Sequence, residues 1–343
     1  MNISIVIPTY NRACLIQRAI TSALSQMHKD DELIVVDDGS IDNTKKVLEL
    51  FKDKINYIYF SRNTGSGFAR NIGIKKAKGD LIAFLDSDDE WMEEKLDLQR
   101  ALFNHYPDLF YAFSNMSITR NNGQIVTSYL YQWHRDKRSW DEILGKGEYY
   151  SSLIPLPEKI NDFKVYIGDL YLSLARAPYI FSSTLVVRNQ GAGEKWFFDE
   201  DIRIYEDWGC YGRIAAMGLG AYMDIDLSWQ HDHKDNRLTS CMDTPVKYDA
   251  RMKVLDRVWG QNQQFLQKHQ TYYSNIVKTV QIISLIESIK EGKIKEARNI
   301  IKTVYYNKNL RLKLLILMPI FIVRIVHSVQ LKLAKFRRRV SEN

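Results

Sequence analysis

A chain of 343 residues can bury one large core or two smaller ones, and 45% hydrophobic against 26% charged residues excludes global disorder. The net charge of +7 sits at one end: from Lys290 onward 14 Lys/Arg face 3 Asp/Glu, a surplus of +11 that leaves −4 on the first 289 residues. A body of that sign argues against nucleic acid as a partner. Cys14, Cys210 and Cys241 show no CxxC spacing, which argues against a zinc knuckle or disulfide framework and fits a reducing compartment.

The first 90 residues alternate strand and helix. Ile3 to Ile7 reads as a buried strand closed by Pro8-Thr9-Tyr10-Asn11-Arg12, with no basic leader or cleavage site before it, so no signal peptide is expected. A helix follows from Leu15 to Ser25. Glu32 to Val36 is a second strand, ending in Asp37-Asp38-Gly39-Ser40, and Asp42 is placed to cap a helix from Thr44 to Phe51. Ile55 to Phe60 is a third strand and Gly67 to Lys78 a third helix. Leu81 to Leu85 is a fourth strand that runs into Asp86-Ser87-Asp88-Asp89. Such alternation predicts an α/β fold with a mostly parallel sheet covered by helices on both faces, and ligands in such sheets bind beyond the carboxyl ends of the strands.

From Ser114 to Ala177 the pattern is irregular and rich in aromatics, among them Trp133 and Trp140, which suit either sugar rings or a core. Phe181 to Val187 reads as a strand. Glu206-Asp207-Trp208 opens another regular segment, and after Thr244 the chain reads as successive helices. Leu312 to Val326 is apolar, but its longest uncharged run, Leu314 to Val323, is ten residues, about half of the ~20 a spanning helix needs. Lys313, Arg324 and Lys335 recur every eleven residues and Arg337 to Arg339 follow. This is the pattern of a basic amphipathic helix on an anionic membrane surface. The alternative is a terminal helix packed on the body or between copies of the chain in a homo-oligomer.

Asp86 and Asp88 form a D-x-D at a strand end. Hard divalent cations such as Mn²⁺ or Mg²⁺ take oxygen ligands from one or two carboxylates plus substrate phosphates, so the pair can divide between a metal and a ribose. Asp38 can accept hydrogen bonds from a base or ribose. Arg70, within Gly65-Ser66-Gly67-Phe68-Ala69-Arg70-Asn71, carries a guanidinium fork suited to a diphosphate. Singly, each of these pieces is ordinary turn or capping chemistry; their coincidence at one sheet edge is harder to dismiss.

The series Ile-Val-Ile-Pro-Thr-Tyr-Asn-Arg, Val-Val-Asp-Asp-Gly-Ser, Ala-Arg-Asn-Ile-Gly, Phe-Leu-Asp-Ser-Asp-Asp and Tyr-Glu-Asp-Trp resembles the inverting, non-processive family 2 glycosyltransferases of bacteria, over roughly residues 3 to 240. The resemblance implies a GT-A (Rossmann-like) fold with a C-terminal helical extension. Its nucleotide-sugar half would be residues 1–115, its acceptor half 116–243, and its helical region 244–343. It also implies that one sugar passes from a UDP-sugar, a hexose or N-acetylhexosamine, to a glycan or lipid-linked glycan of the cell surface, in the cytoplasm at the inner membrane face. Pro8, Thr9, Tyr10, Arg12, Asp38, Arg70, Asp86 and Ser87 are implied around the donor, Asp88 and His231 at the metal, and Asp207 as general base. Glu206, Trp208, His233 and Arg237 are further candidates. The processive Q-x-x-R-W is absent, so addition of a single sugar is expected. A dehydrogenase would need G-x-G-x-x-G at the first strand, where Pro-Thr-Tyr-Asn-Arg stands instead. A sugar-nucleotide-binding scaffold without catalysis is the other rival, and the retention of Asp86, Asp88 and Asp207 together argues against it.

Overall fold

Ile3, Ile5 and Ile7 are fully buried in the strand that the sequence begins with, β1 (Ile3–Thr9), which lies between two parallel neighbours. The computed structural model describes the chain except for residues 121, 135, 191–194, 233–241 and 305–343 and the side chains of 301–304. Two compact units, Met1–Asp235 and Asn236–Asn343, divide it.

In the first unit, α1 (Ile16–Leu24) buries Ile16, Ala19, Ile20 and Ala23, the spacing of a single helical face. It is followed by β2 (Glu32–Asp37), α2 (Thr44–Leu48) with a 3₁₀ turn over Glu49–Phe51, and β3 (Asn56–Tyr59). Asp42, which the sequence places as the cap, stands one residue before the N-cap Asn43, and its Oδ1 accepts from Thr44 N at 2.9 Å. Next come α3 (Ser66–Lys76), β4 (Leu81–Phe84), β5 (Asp89–Trp91), α4 (Lys95–His105) and β6 (Leu109–Thr119). The aromatic-rich stretch is more regular than its sequence suggests. It holds the end of β6, then β7 (Ile125–Val126), α5 (Leu130–Trp133), α6 (Trp140–Leu144), β8 (Glu148–Tyr149), α7 (Tyr150–Leu153), β9 (Lys164–Gly168) and α8 (Tyr171–Leu174). The strand expected from Phe181 begins later. Ser182–Thr184 makes a 3₁₀ turn, and β10 covers only Val186–Arg188. The unit closes with α9 (Glu206–Ala215) and β11 (Leu219–Gln230).

One sheet runs in the order β3-β2-β1-β4-β10-β6-β11-β9-β8, with β5 paired to β11 and β7 to β6. The first four strands are parallel, as the alternation predicts. The short β10 then enters antiparallel between β4 and β6, making the whole sheet mixed. Gly73 lets α3 lie directly on β1, since a Cβ there would stand 2.3 Å from Val6 Cγ1. Among the described residues the second unit holds α10 (Thr244–Leu255), a π-helical turn over Asp256–Gly260, α11 (Gln263–Lys290), kinked at His269, and α12 (Ile294–Val304), with Leu285, Ala297 and Ile300 buried together. The basic amphipathic segment from Leu312 to the C-terminus lies outside the described residues.

Candidate active site

The carboxyl ends of β1, β2 and β4 carry the polar clusters. Asp38 N donates to Thr9 O at 2.9 Å, joining the turns after β1 and β2. Asn11 has left-handed backbone at φ 51°; its N donates to Ser40 Oγ, and its Oδ1 accepts from Ile41 N. Gly39 at φ +86° needs glycine twice over, because a Cβ would also lie 2.9 Å from the Arg62 carbonyl carbon. Asp38 is buried, and its carboxylate accepts from Thr64 N and, at 2.6 Å, from Gly65 N. It therefore holds the turn that launches α3. Burial raises its pKa, against the lowering effect of these two bonds. Pro8 and Thr9 are buried and Tyr10 is exposed, and among the described residues Thr9 Oγ1 has no hydrogen-bond partner.

Arg70 gathers the acidic groups. From the buried face of α3 its Nη2 donates to Asp86 Oδ1 at 2.6 Å and its Nη1 to Glu206 Oε1 at 3.3 Å. Ser66 Oγ donates to the same Glu206 oxygen at 2.6 Å, and the guanidinium lies 5.1 Å from the Phe198 ring centre. The end of β4 is thereby tied to the start of α9. Tyr205, left-handed at φ +68°, opens α9, and Asp207 sits in its first turn. Asp207 is partly buried, and its pKa is pushed up to about 7. Burial contributes most and the Glu206 charge next; Arg70 opposes both, and Asp86 adds a smaller upward push. Trp208 anchors the helix beneath: it is buried, and its Nε1 donates to Leu174 O at 2.7 Å.

Ser87 is buried within the turn between β4 and β5, where the Asp86 carboxylate is a third exposed and that of Asp88 a quarter. Arg12 Nε stands 3.7 Å from Asp88 Oδ2, and Arg18 Nη2 donates to the Asp88 carbonyl at 2.8 Å. Ser183 accepts from Asp86 N and donates to Asp89, so one hydroxyl touches both ends of the turn. Asp88 is a hard oxygen donor, a quarter exposed and held by its backbone, which fits a cation bound by one carboxylate plus substrate phosphates. His231 pairs with Glu90 at 2.7 Å and stacks on Trp229, and burial lowers its pKa. Among the described residues no three His, Cys, Asp or Glu side chains converge as a metal cage. His233 and Arg237 lie outside the described residues.

Sequence reasoning missed Arg18, Ser183 and Glu90. Glu90 directly follows the Asp cluster, and Ser182-Ser183-Thr184 is a run of small hydroxyls before a strand; both were legible signals. Arg18 on α1 offered none. Of the two tryptophans that suited either sugar rings or a core, Trp140 is a core residue at 2% exposure, stacked on Tyr222 with ring centres 3.9 Å apart. Trp133 is 38% exposed.

Residues 4–171 match the family model described as Glycosyl transferase family 2. An uncharacterized glycosyltransferase of Rickettsia bellii is 43% identical over 298 residues, covering 87% of this chain and 36% of that protein. The Escherichia coli UDP-Glc:alpha-D-GlcNAc-diphosphoundecaprenol beta-1,3-glucosyltransferase WfgD is 39% identical over 121 residues, 35% of this chain and 47% of that protein. The chain thus spans less than half the length of both relatives. The crystal structure of S. aureus TarS 1-349 in complex with UDP-GlcNAc superposes with a TM-score of 0.61 at 18% identity, over 89% of this chain and 82% of that one. This likeness establishes the GT-A fold.

Proposed function

We propose that this chain, which belongs to glycosyltransferase family 2 through its residues 4–171, transfers one sugar with inversion from a UDP-sugar to a carbohydrate or lipid-linked glycan of the cell surface. The observation that carries the reading is the Arg70 bridge between Asp86 and Glu206, with Asp207 raised toward neutrality beside it. A base titrating near the working pH removes a hydroxyl proton most effectively.

In this reading residues 1–115 hold the donor and residues 116–243 the acceptor. Pro8, Thr9 and Asp38 bind uracil and ribose, Asp86 lies by the ribose, and Arg70 sets the charge beside the diphosphate. Asp207 takes the proton of an acceptor hydroxyl. The oxygen attacks the anomeric carbon on the face opposite the diphosphate, the bond to the diphosphate oxygen breaks, and UDP leaves with its electron pair. An α-linked donor therefore yields a β-glycoside. Asp88, with His231 as the second candidate, would hold Mn²⁺ or Mg²⁺, and such an ion when bound neutralises charge on the departing diphosphate.

The relatives support the substrate class: WfgD is named for a UDP-glucose donor and a diphosphoundecaprenol-linked acceptor, and TarS was crystallised with UDP-GlcNAc. The +11 tail supports a place on the inner face of an anionic membrane. The test is UDP release with Mn²⁺ and a mixed acceptor pool. Asp207→Asn should lower acceptor-dependent release at least about a hundredfold. Equal release from both proteins would favour a binding scaffold instead.

A further inference from the structure

We infer that Trp133, backed by Phe181, is a stacking platform for a pyranose ring of the acceptor; the inference rests on the glycosyltransferase reading. The aromatic-rich stretch buries Trp140 and Tyr150 almost completely, whereas Trp133 at the end of α5 is 38% exposed. Its ring centre lies 4.6 Å from that of Phe181 and 6.5 Å from that of Tyr129. The indole thus packs against both rings at tilts of 44° and 46°, while the residue keeps contact with solvent.

The backbone that carries Trp133 is packed on both sides. Leu130 and His134 on either side of it are buried, and the His134 ring packs 4.8 Å from Tyr179 and 5.5 Å from Trp140. Two residues on, the buried Asp136 carboxylate accepts from Arg138 Nη2 at 2.7 Å and from the Tyr179 hydroxyl. An exposed ring held this way loses little conformational freedom when a ligand covers it, so most of the contact energy appears as affinity.

Its place favours the acceptor over a remote partner. Phe181 leads directly into Ser182 and Ser183. Ser183 touches both Asp86 and Asp89, and Ser182 Oγ lies 2.7 Å from the Tyr211 hydroxyl, one turn along α9 from Asp207. The aromatic pair therefore borders the segment that joins the donor turn to the helix of the base. A pyranose offers an apolar face of C–H groups with its hydroxyls at the rim. That shape suits a half-exposed indole, which covers the face and leaves the rim in water.

Saturation-transfer NMR with methyl glycosides of glucose, galactose and their N-acetylated forms tests the platform directly. Wild type should transfer saturation to ring C–H protons of at least one glycoside; Trp133→Ala should lose the effect, and Trp133→Phe should retain part of it. An unchanged unfolding temperature reports that the variants are folded. Equal signals from wild type and Trp133→Ala, or no signal from wild type with any glycoside, overturn the inference. In the transfer assay Trp133→Ala should raise the acceptor KM about tenfold while kcat holds, and an unchanged KM also overturns it. If wild type releases no UDP from any UDP-sugar while the Trp133-dependent NMR signal persists, the enzymatic reading fails and the platform stands.

Discussion

Arg70 and Glu206 are 136 positions apart in the chain and meet at 3.3 Å, with the same guanidinium bonded to Asp86 at 2.6 Å. One cation thus compensates carboxylates from two separate elements. Its burial is tolerable only because both partners are present.

Replacing Arg70 with Met keeps the volume and removes the charge. Glu206, itself nearly buried, then loses its cation, while Asp86, a third exposed, is partly rescued by water. A loss of about 3 kcal/mol in urea unfolding is expected, at the lower end for a broken buried pair because of that exposure. Arg70→Lys should recover only part of it, since an ammonium lacks the fork that reaches both partners.

Asp207 gives a signed pH dependence. Its pKa is raised from the ordinary 3.8 to about 7, so the folded protein binds this proton more tightly than the unfolded chain does. The stability contributed by this group is fully present below the unfolded value and is lost as pH rises through the folded one. Asp207→Asn should flatten that decline in a pH series of urea melts. Transfer rate should run the opposite way, rising toward a plateau as the carboxylate ionises near pH 7. A rate that is flat across this range would remove Asp207 from the base role.

Metal dependence can be read without assuming which ion is bound. EDTA should suppress UDP release, and Mn²⁺ should restore it in wild type. Asp88→Asn should need a higher Mn²⁺ concentration for half-maximal rate, because one charged oxygen donor is gone. A release rate indifferent to EDTA would argue against the metal assignment.

The basic tail predicts membrane affinity. The 343-residue chain should float with vesicles containing anionic lipid, and a chain ending near Asn307 should not; added salt should release the longer chain as it screens the charges. Flotation that survives truncation would place the contact elsewhere.

The parallel half of the sheet was legible because each of its strands is a short apolar run that stops at a polar cluster. Those clusters, at Thr9, Asp38 and Asp86, fall where the alternation puts them. What the sequence concealed is non-local. Nothing near Val186 announces that three residues will pair antiparallel with both β4 and β6, and nothing near Asp89 announces pairing with Gln230. Trp133 and Trp140 stand in the same irregular stretch, and only packing separates the exposed ring from the buried one. Likewise, Glu206 reads as an ordinary acid at a helix start until Arg70 arrives from another helix.

Ser183 holds Asp86 and Asp89 from one oxygen, so the loop between them has no slack. A residue inserted there would have to break that grip or slide Asp89 out of step with Gln230 on the neighbouring strand. Descendants of this chain should therefore keep the length of this loop fixed and vary its side chains instead.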